Sequence, residues 1–137
     1  MLDKEARDSL STFRIERAAG NLEEAKLLFA NAKYNGSAAC AYYAIFNSLR
    51  AILATEGVDF KKHSGVISYF QKQYIKTGIF EREISDYVRD AFAVRNDSDY
   101  KDFYLVSEED AGIQIENADT VIEAVKKYLS EKSNVFS

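Results

Sequence analysis

Arg95 is the residue whose placement most invites chemistry. Ile84, Val88 and Ala91 form an apolar stripe at helical spacing, and the next step of four beyond Ala91 lands on Arg95. A guanidinium on a stripe that faces a core or an interface needs several acceptors, because burying it unpaired is costly. Asn96, Asp97, Ser98, Asp99 and Tyr100 follow. Asp99 can pair with Arg95 if the helix continues that far. The structural reading is an ion pair closing a helix, with an Asn/Asp/Ser turn behind it. The functional reading is a cleft in which the arginine fork grips a phosphate.

His63 is the single histidine, in Phe60-Lys61-Lys62-His63-Ser64-Gly65. Its imidazole titrates near neutral pH and suits general acid–base work, although a helix-start residue held by packing is an equal reading. Lys61 and Lys62 read as a solvated face that also offers phosphate a positive spot. Cys40 lies in Ala38-Ala39-Cys40-Ala41 and is expected to be a buried packing residue. One Cys and one His cannot supply the four ligands of a structural zinc. The glycine spacing of a Walker or Rossmann phosphate loop is missing, so no cofactor is expected. Tyr42-Tyr43 and Phe103-Tyr104 are core residues by default, but a tyrosine beside Arg95 could stack a base for about 1–3 kcal/mol.

Helices must position these groups. The first spans about Asp3 to Ala32, with Ala18, Leu22, Ala25 and Phe29 on one face, and Gly20 leaves room for a kink. A second begins after Asn35-Gly36 with Ser37 as N-cap. It carries Tyr42, Ile45, Phe46, Leu49, Ile52 and Leu53, the strongest amphipathic stripe in the chain and hence the centre of the core. The third covers Phe60 to Tyr74, the fourth Glu81 to about Asn96 with Phe92 among its buried residues, and the fifth Glu108 to Glu131. Asn96 to Tyr104 reads as a connection. Five helices on short connections predict an all-α, mostly antiparallel, up-and-down bundle.

With 137 residues, the chain suits a single domain over 1–137 that buries about 70% of its unfolded surface, with flexible ends near 1–5 and 132–137. Proline is absent, which favours few turns and therefore helices. The net charge of −4 argues against a broad basic surface for duplex DNA, though not against a local cleft for RNA or a nucleotide. No stretch reaches the roughly 18–20 apolar residues of a membrane span, and the charged start Leu2-Asp3-Lys4-Glu5 does not resemble a secretory signal. A lone cysteine and no such signal fit a cytoplasmic protein.

Three segments in order, Ala41-Tyr42-Tyr43-Ala44-Ile45-Phe46, Lys62-His63-Ser64-Gly65-Val66-Ile67 and Arg95 through Asp99-Tyr100, resemble the HEPN family (higher eukaryotes and prokaryotes nucleotide-binding). The likeness covers most of the chain and falls in the prokaryotic branch whose last motif ends in Asp-Tyr. It implies a bundle of four or five helices, often a homodimer. In the family's ribonucleases an arginine, a polar residue and a following histidine meet across the dimer to cleave RNA without metal. Here the arginine position is Arg95, the polar position Asn96, and the histidine position holds Tyr100. A tyrosine with a pKa near ~10 is a poor base at neutral pH. The family tyrosine that can receive a nucleotide corresponds to Asp102, with Tyr100 and Tyr104 nearby. The resemblance also implies a minimal nucleotidyltransferase partner in a toxin–antitoxin-like pair.

Three readings follow. The first is a binding module for nucleotide, single-stranded RNA or that partner, using Arg95, Asp99, Tyr100, His63 and Lys62. The second is a metal-independent endoribonuclease using Arg95 and Asn96, with Tyr100 or His63 in place of the histidine. The third is a helical interaction scaffold.

Overall fold

The computed structural model describes residues 3–135. Five α-helices appear in order: α1 Lys4–Ala30, α2 Tyr34–Thr55, α3 His63–Phe70 running on into a π-helical turn Gln71–Ile75, α4 Arg82–Tyr100 and α5 Glu108–Val135. No strand occurs among the described residues. Asp3 caps α1 by accepting the Ala6 N–H at 2.8 Å, so order begins inside the stretch expected to be a loose end. Residues 1–2 and 136–137 of those expected ends lie outside the described residues.

α2 is the centre, with α1, α4 and α5 packed around it. Leu49, Ile52 and Leu53 are fully buried on it, as are Ala41, Ala44 and Ala51, whose small side chains let neighbouring helices approach. Burying each large aliphatic residue contributes about 1.5–3 kcal/mol, which makes this stripe the main source of cohesion. Three polar contacts fix α1 antiparallel to α2. Ser11 Oγ donates to the Ala51 carbonyl at 2.7 Å, Asn47 Nδ2 to Asn21 Oδ1 at 2.8 Å, and Ser37 Oγ to the Ala25 carbonyl at 2.7 Å.

Several expected boundaries move. α1 is unbroken through Gly20, where no neighbour comes near the missing Cβ. The turn into α2 is Asn31-Ala32-Lys33 and not Asn35-Gly36, so Ser37 is an interior residue and not the N-cap. α4 runs on to Tyr100, so the stretch read as a turn after Asn96 is helix, stitched by Arg95–Asp99 and Asp97–Lys101 pairs. Phe103, expected in the core, is fully exposed at φ +61°. Cys40 is only half-buried, its Sγ 3.8 Å from a Glu24 carboxylate oxygen.

Candidate functional site

Arg95 sits in the last two turns of α4, and its side chain is 18% exposed. The extension of the helix to Tyr100 brings Asp99 one turn beyond it, with Oδ2 2.9 Å from Nε. That approach is off-line: the Nε–H is shut from solvent without a well-directed acceptor. The pair is therefore close charges and not a formed hydrogen bond. Nη2 donates to the Tyr43 hydroxyl at 3.0 Å. The guanidinium carbon also stands 5.7 Å from the Tyr42 ring centre and 5.6 Å from that of Tyr43, within cation–π range. Two consecutive tyrosines of α2 thus form the floor under a single cation.

The same tyrosines reach the histidine. His63 opens α3, and its Nδ1 is 2.7 Å from the Tyr42 hydroxyl. Its ring stacks on Phe46 at 4.0 Å and meets Tyr43 edge-on at 6.1 Å. Burial, then the positive fields of Arg95 and Arg50, hold its pKa below the ordinary value, so the ring is neutral at pH 7. Burial raises the Tyr42 pKa against the opposing pull of Arg95, and the phenol keeps its proton. The Tyr42–His63 contact has two forms: with the phenol donating to Nδ1 the imidazole proton sits on Nε2 and that edge is a donor, and with the phenol oxygen accepting from Nδ1–H the Nε2 edge is an acceptor.

The loop ahead of His63 is pinned. Arg14 Nη1 donates to the Arg50 carbonyl at 3.0 Å, and Arg14 and Arg50 both grip Asp59 Oδ2, at 3.2 and 3.0 Å. Burial would lift the Asp59 pKa, but the two arginines and the Phe60 N–H outweigh it and hold the carboxyl below its usual range. Helices α1, α2 and α4 and the start of α3 therefore all act on one cluster.

Arg95, Asp99 and His63 come together through Tyr42 and Tyr43. Tyr100 does not join them: it is 76% exposed, and no hydrogen bond ties it to Arg95 or His63. Asn96 is half-buried beside Arg95 in the chain, and Lys61 and Lys62 are exposed ahead of His63. Tyr104 is half-buried, its carbonyl accepting from Asn35 Nδ2 at 3.0 Å. Among the described residues no group of three His, Cys, Asp or Glu is arranged to hold a metal. Sequence reasoning takes the Tyr42-Tyr43 pair as core by default and does not identify Tyr43 as the hydrogen-bond partner of Arg95. The signal was present, since neighbouring helix positions point about 100° apart and two adjacent tyrosines cannot both face one core.

Residues 11–128 match the HEPN domain family. A protein of Methanocaldococcus jannaschii named "Putative toxin" is 35% identical over 131 residues, 96% of this chain and 96% of its own. A second protein of that organism with the same name is 31% identical over 119 residues, 87% of this chain and 81% of its own. A UPF0332 protein of Thermotoga maritima is 31% identical over 115 residues, covering 84% and 87% of the two chains. The helical bundle and a family match over most of its length agree, and the chain belongs to the HEPN domain family.

Proposed function

We propose that this chain is a binding module whose Arg95 cleft takes the phosphate of a nucleotide or of single-stranded RNA. The observation that carries the reading is the mounting of Arg95. Tyr43 and Asp99 engage Nη2 and Nε, two rings lie beneath, and Nη1 has no acceptor among the described residues. A preorganised guanidinium loses little entropy on binding and offers a fork matched to phosphate oxygens. In the tautomer in which the Tyr42 phenol donates to Nδ1, the Nε2–H edge of His63 supplies a second donor in the same cluster. Asp99 partly neutralises the cation, so the binding is weak. The toxin-named relatives support a toxin-like role for the chain, and the family resemblance of its three motifs suggests a minimal nucleotidyltransferase as the other member of such a pair.

Fluorescence anisotropy with a labelled single-stranded RNA, and amide shifts at Arg95 and His63 on titration with AMP, test the reading. Wild type binds, and Arg95→Ala weakens binding by about tenfold or more, the ordinary scale of a lost charge-assisted contact. Binding that survives Arg95→Ala unchanged would sink it.

A second reading has its own support: an endoribonuclease with His63 as its acid–base group. His63 is linked to Arg95 through Tyr42 and Tyr43, whereas Tyr100 stands apart. Metal-independent RNA cleavage abolished by both Arg95→Ala and His63→Gln would promote it over binding alone.

A further inference from the structure

The bundle carries a second concave site, remote from Arg95. A cavity of about 590 Å³ opens where α1 begins and α5 ends, within the roughly 300–1,000 Å³ of small-molecule pockets. Thr55, on its wall, lies three turns along α2 from Tyr43, roughly 18 Å at the helical rise.

In a chain of net charge −4, this wall presents four cations, Lys4, Arg7, Lys126 and Lys132, against one acid, Asp8. Two of the four are spoken for: Lys4 pairs with Asp8 at 2.9 Å, and Lys126 lies 3.6 Å from Glu123. Arg7 and Lys132 have no carboxylate partner among the described residues. Lys132 is nonetheless fixed, its Nζ donating to Thr55 Oγ1 at 2.9 Å, and that hydroxyl donates onward to the Ile52 carbonyl at 2.7 Å. The stem of Arg7 runs under the turn after α2, where a Cβ on Gly57 would come within 3.3 Å of Arg7 Cδ. Its Nε is closed to solvent and meets no acceptor among the described residues. The carbonyl ends of α2 and α5 account for cations gathering here, but not for a buried N–H left without an acceptor. Thr12 and Ser130 add hydroxyls to the wall, and Ile15 and Leu129 give it an apolar floor.

We propose that this cavity binds a small organic phosphate, its phosphate between Arg7 and Lys132 and its apolar body on Ile15 and Leu129. A phosphate dianion has enough terminal oxygens to engage a guanidinium, an ammonium and neighbouring hydroxyls together, and its charge balances the two cations. The apolar floor distinguishes such a ligand from the free inorganic ion.

Calorimetry on the full chain with phenyl phosphate and with inorganic phosphate tests this. Phenyl phosphate should bind more tightly than inorganic phosphate, and about tenfold more weakly in Arg7→Gln and in Lys132→Gln. Arg95→Ala should leave the affinity read at the Arg7, Thr12 and Ser130 amides within about twofold, since sites this far apart act independently. Amide shifts on titration should cluster at Arg7, Thr12 and Ser130. If Arg7→Gln melts early, Lys132→Gln, in the last turns of α5, decides the matter. No binding at millimolar phenyl phosphate, unchanged binding in Lys132→Gln, or loss in Arg95→Ala instead would overturn the proposal. Equal affinity for the two probes would overturn its apolar half. Failure here leaves the Arg95 reading untouched, because the two sites respond to different substitutions.

Discussion

His63 is neutral for identifiable reasons, and those reasons make its titration testable. Burial comes first, then Arg95 and Arg50, and each disfavours the imidazolium. The groups facing the ring are Tyr42 and Tyr43 from α2, Phe46 one turn on, and the two arginines. A histidine with a lowered folded-state pKa binds fewer protons folded than unfolded between that value and about 6.5. Its contribution is therefore fully present above about pH 6.5 and declines as pH falls through that window. Asp59 acts in a separate, lower window: its stabilisation holds above its ordinary value of 3.8 and is lost as pH falls through its lowered pKa. The His63 ring proton should titrate with a midpoint below 6.5 by NMR. Bound phosphate should raise that midpoint, because an anion favours the imidazolium. A midpoint at or above the unperturbed value would contradict the packing described for the ring. The Arg95–Asp99 ion pair was legible from a step of four. The His63–Tyr42 contact joins residues 21 apart, and no local spacing encodes it.

At the scale of elements, the two ends of the α1–α2 hairpin show what composition does and does not reveal. α2 stops in a glycine-terminated cap: Gly57 at φ +70° donates to the Ala54 carbonyl, and Val58 to that of Leu53. α1 stops in the same geometry, Ala32 donating to the Phe29 carbonyl and Lys33 to that of Leu28, but with alanine at φ +59°. A Cβ in the left-handed region costs about 1 kcal/mol, so Ala32→Gly should raise stability by roughly 0.5–1 kcal/mol in urea unfolding. No gain, or a loss, would mean that the turn carries no strain. The helices themselves were readable because apolar periodicity survives any turn chemistry. The first turn was misplaced because Asn35-Gly36-Ser37 has the composition of a turn while serving tertiary contacts. A Cβ on Gly36 would lie 3.3 Å from Leu28 Cδ1, Ser37 bonds the Ala25 carbonyl, and Asn35 clamps a distant segment. Asn35 Oδ1 accepts from the Val106 N–H at 2.8 Å while its amide donates to the Tyr104 carbonyl. Asn35→Ala should cost about 1–3 kcal/mol and speed hydrogen exchange at Val106. Unchanged exchange there would show that the segment is held by other contacts.

For the whole molecule, the question is what covers the exposed segment that ends α4 and follows it. Tyr100, Phe103 and Leu105 are 76%, 99% and 83% exposed, three large side chains within six residues of the chain. Phe103 adds a left-handed backbone at φ +61°, a conformation that costs free energy and here delivers a ring to water. A monomer gains nothing from that arrangement. Large apolar side chains exposed together along one short segment are a usual mark of an interface. The partner that evolves most readily to match it is a second copy about a two-fold axis, because every contact is then made twice. Pairing through Tyr100, the last residue of α4, would bring together the ends of the two helices that carry Arg95. We therefore expect a homodimer by light scattering after gel filtration at micromolar concentration. The double substitution Phe103→Asn and Leu105→Glu should give a folded monomer. Asparagine tolerates positive φ better than phenylalanine, so the first change relieves strain while removing apolar area, and the second places charge where the interface closes. Circular dichroism should remain helical in the variant, and its affinity for single-stranded RNA should fall with the dimer. A monomeric wild type would leave the exposed cluster without this explanation. A double variant that stays dimeric would move the interface to another face of the bundle.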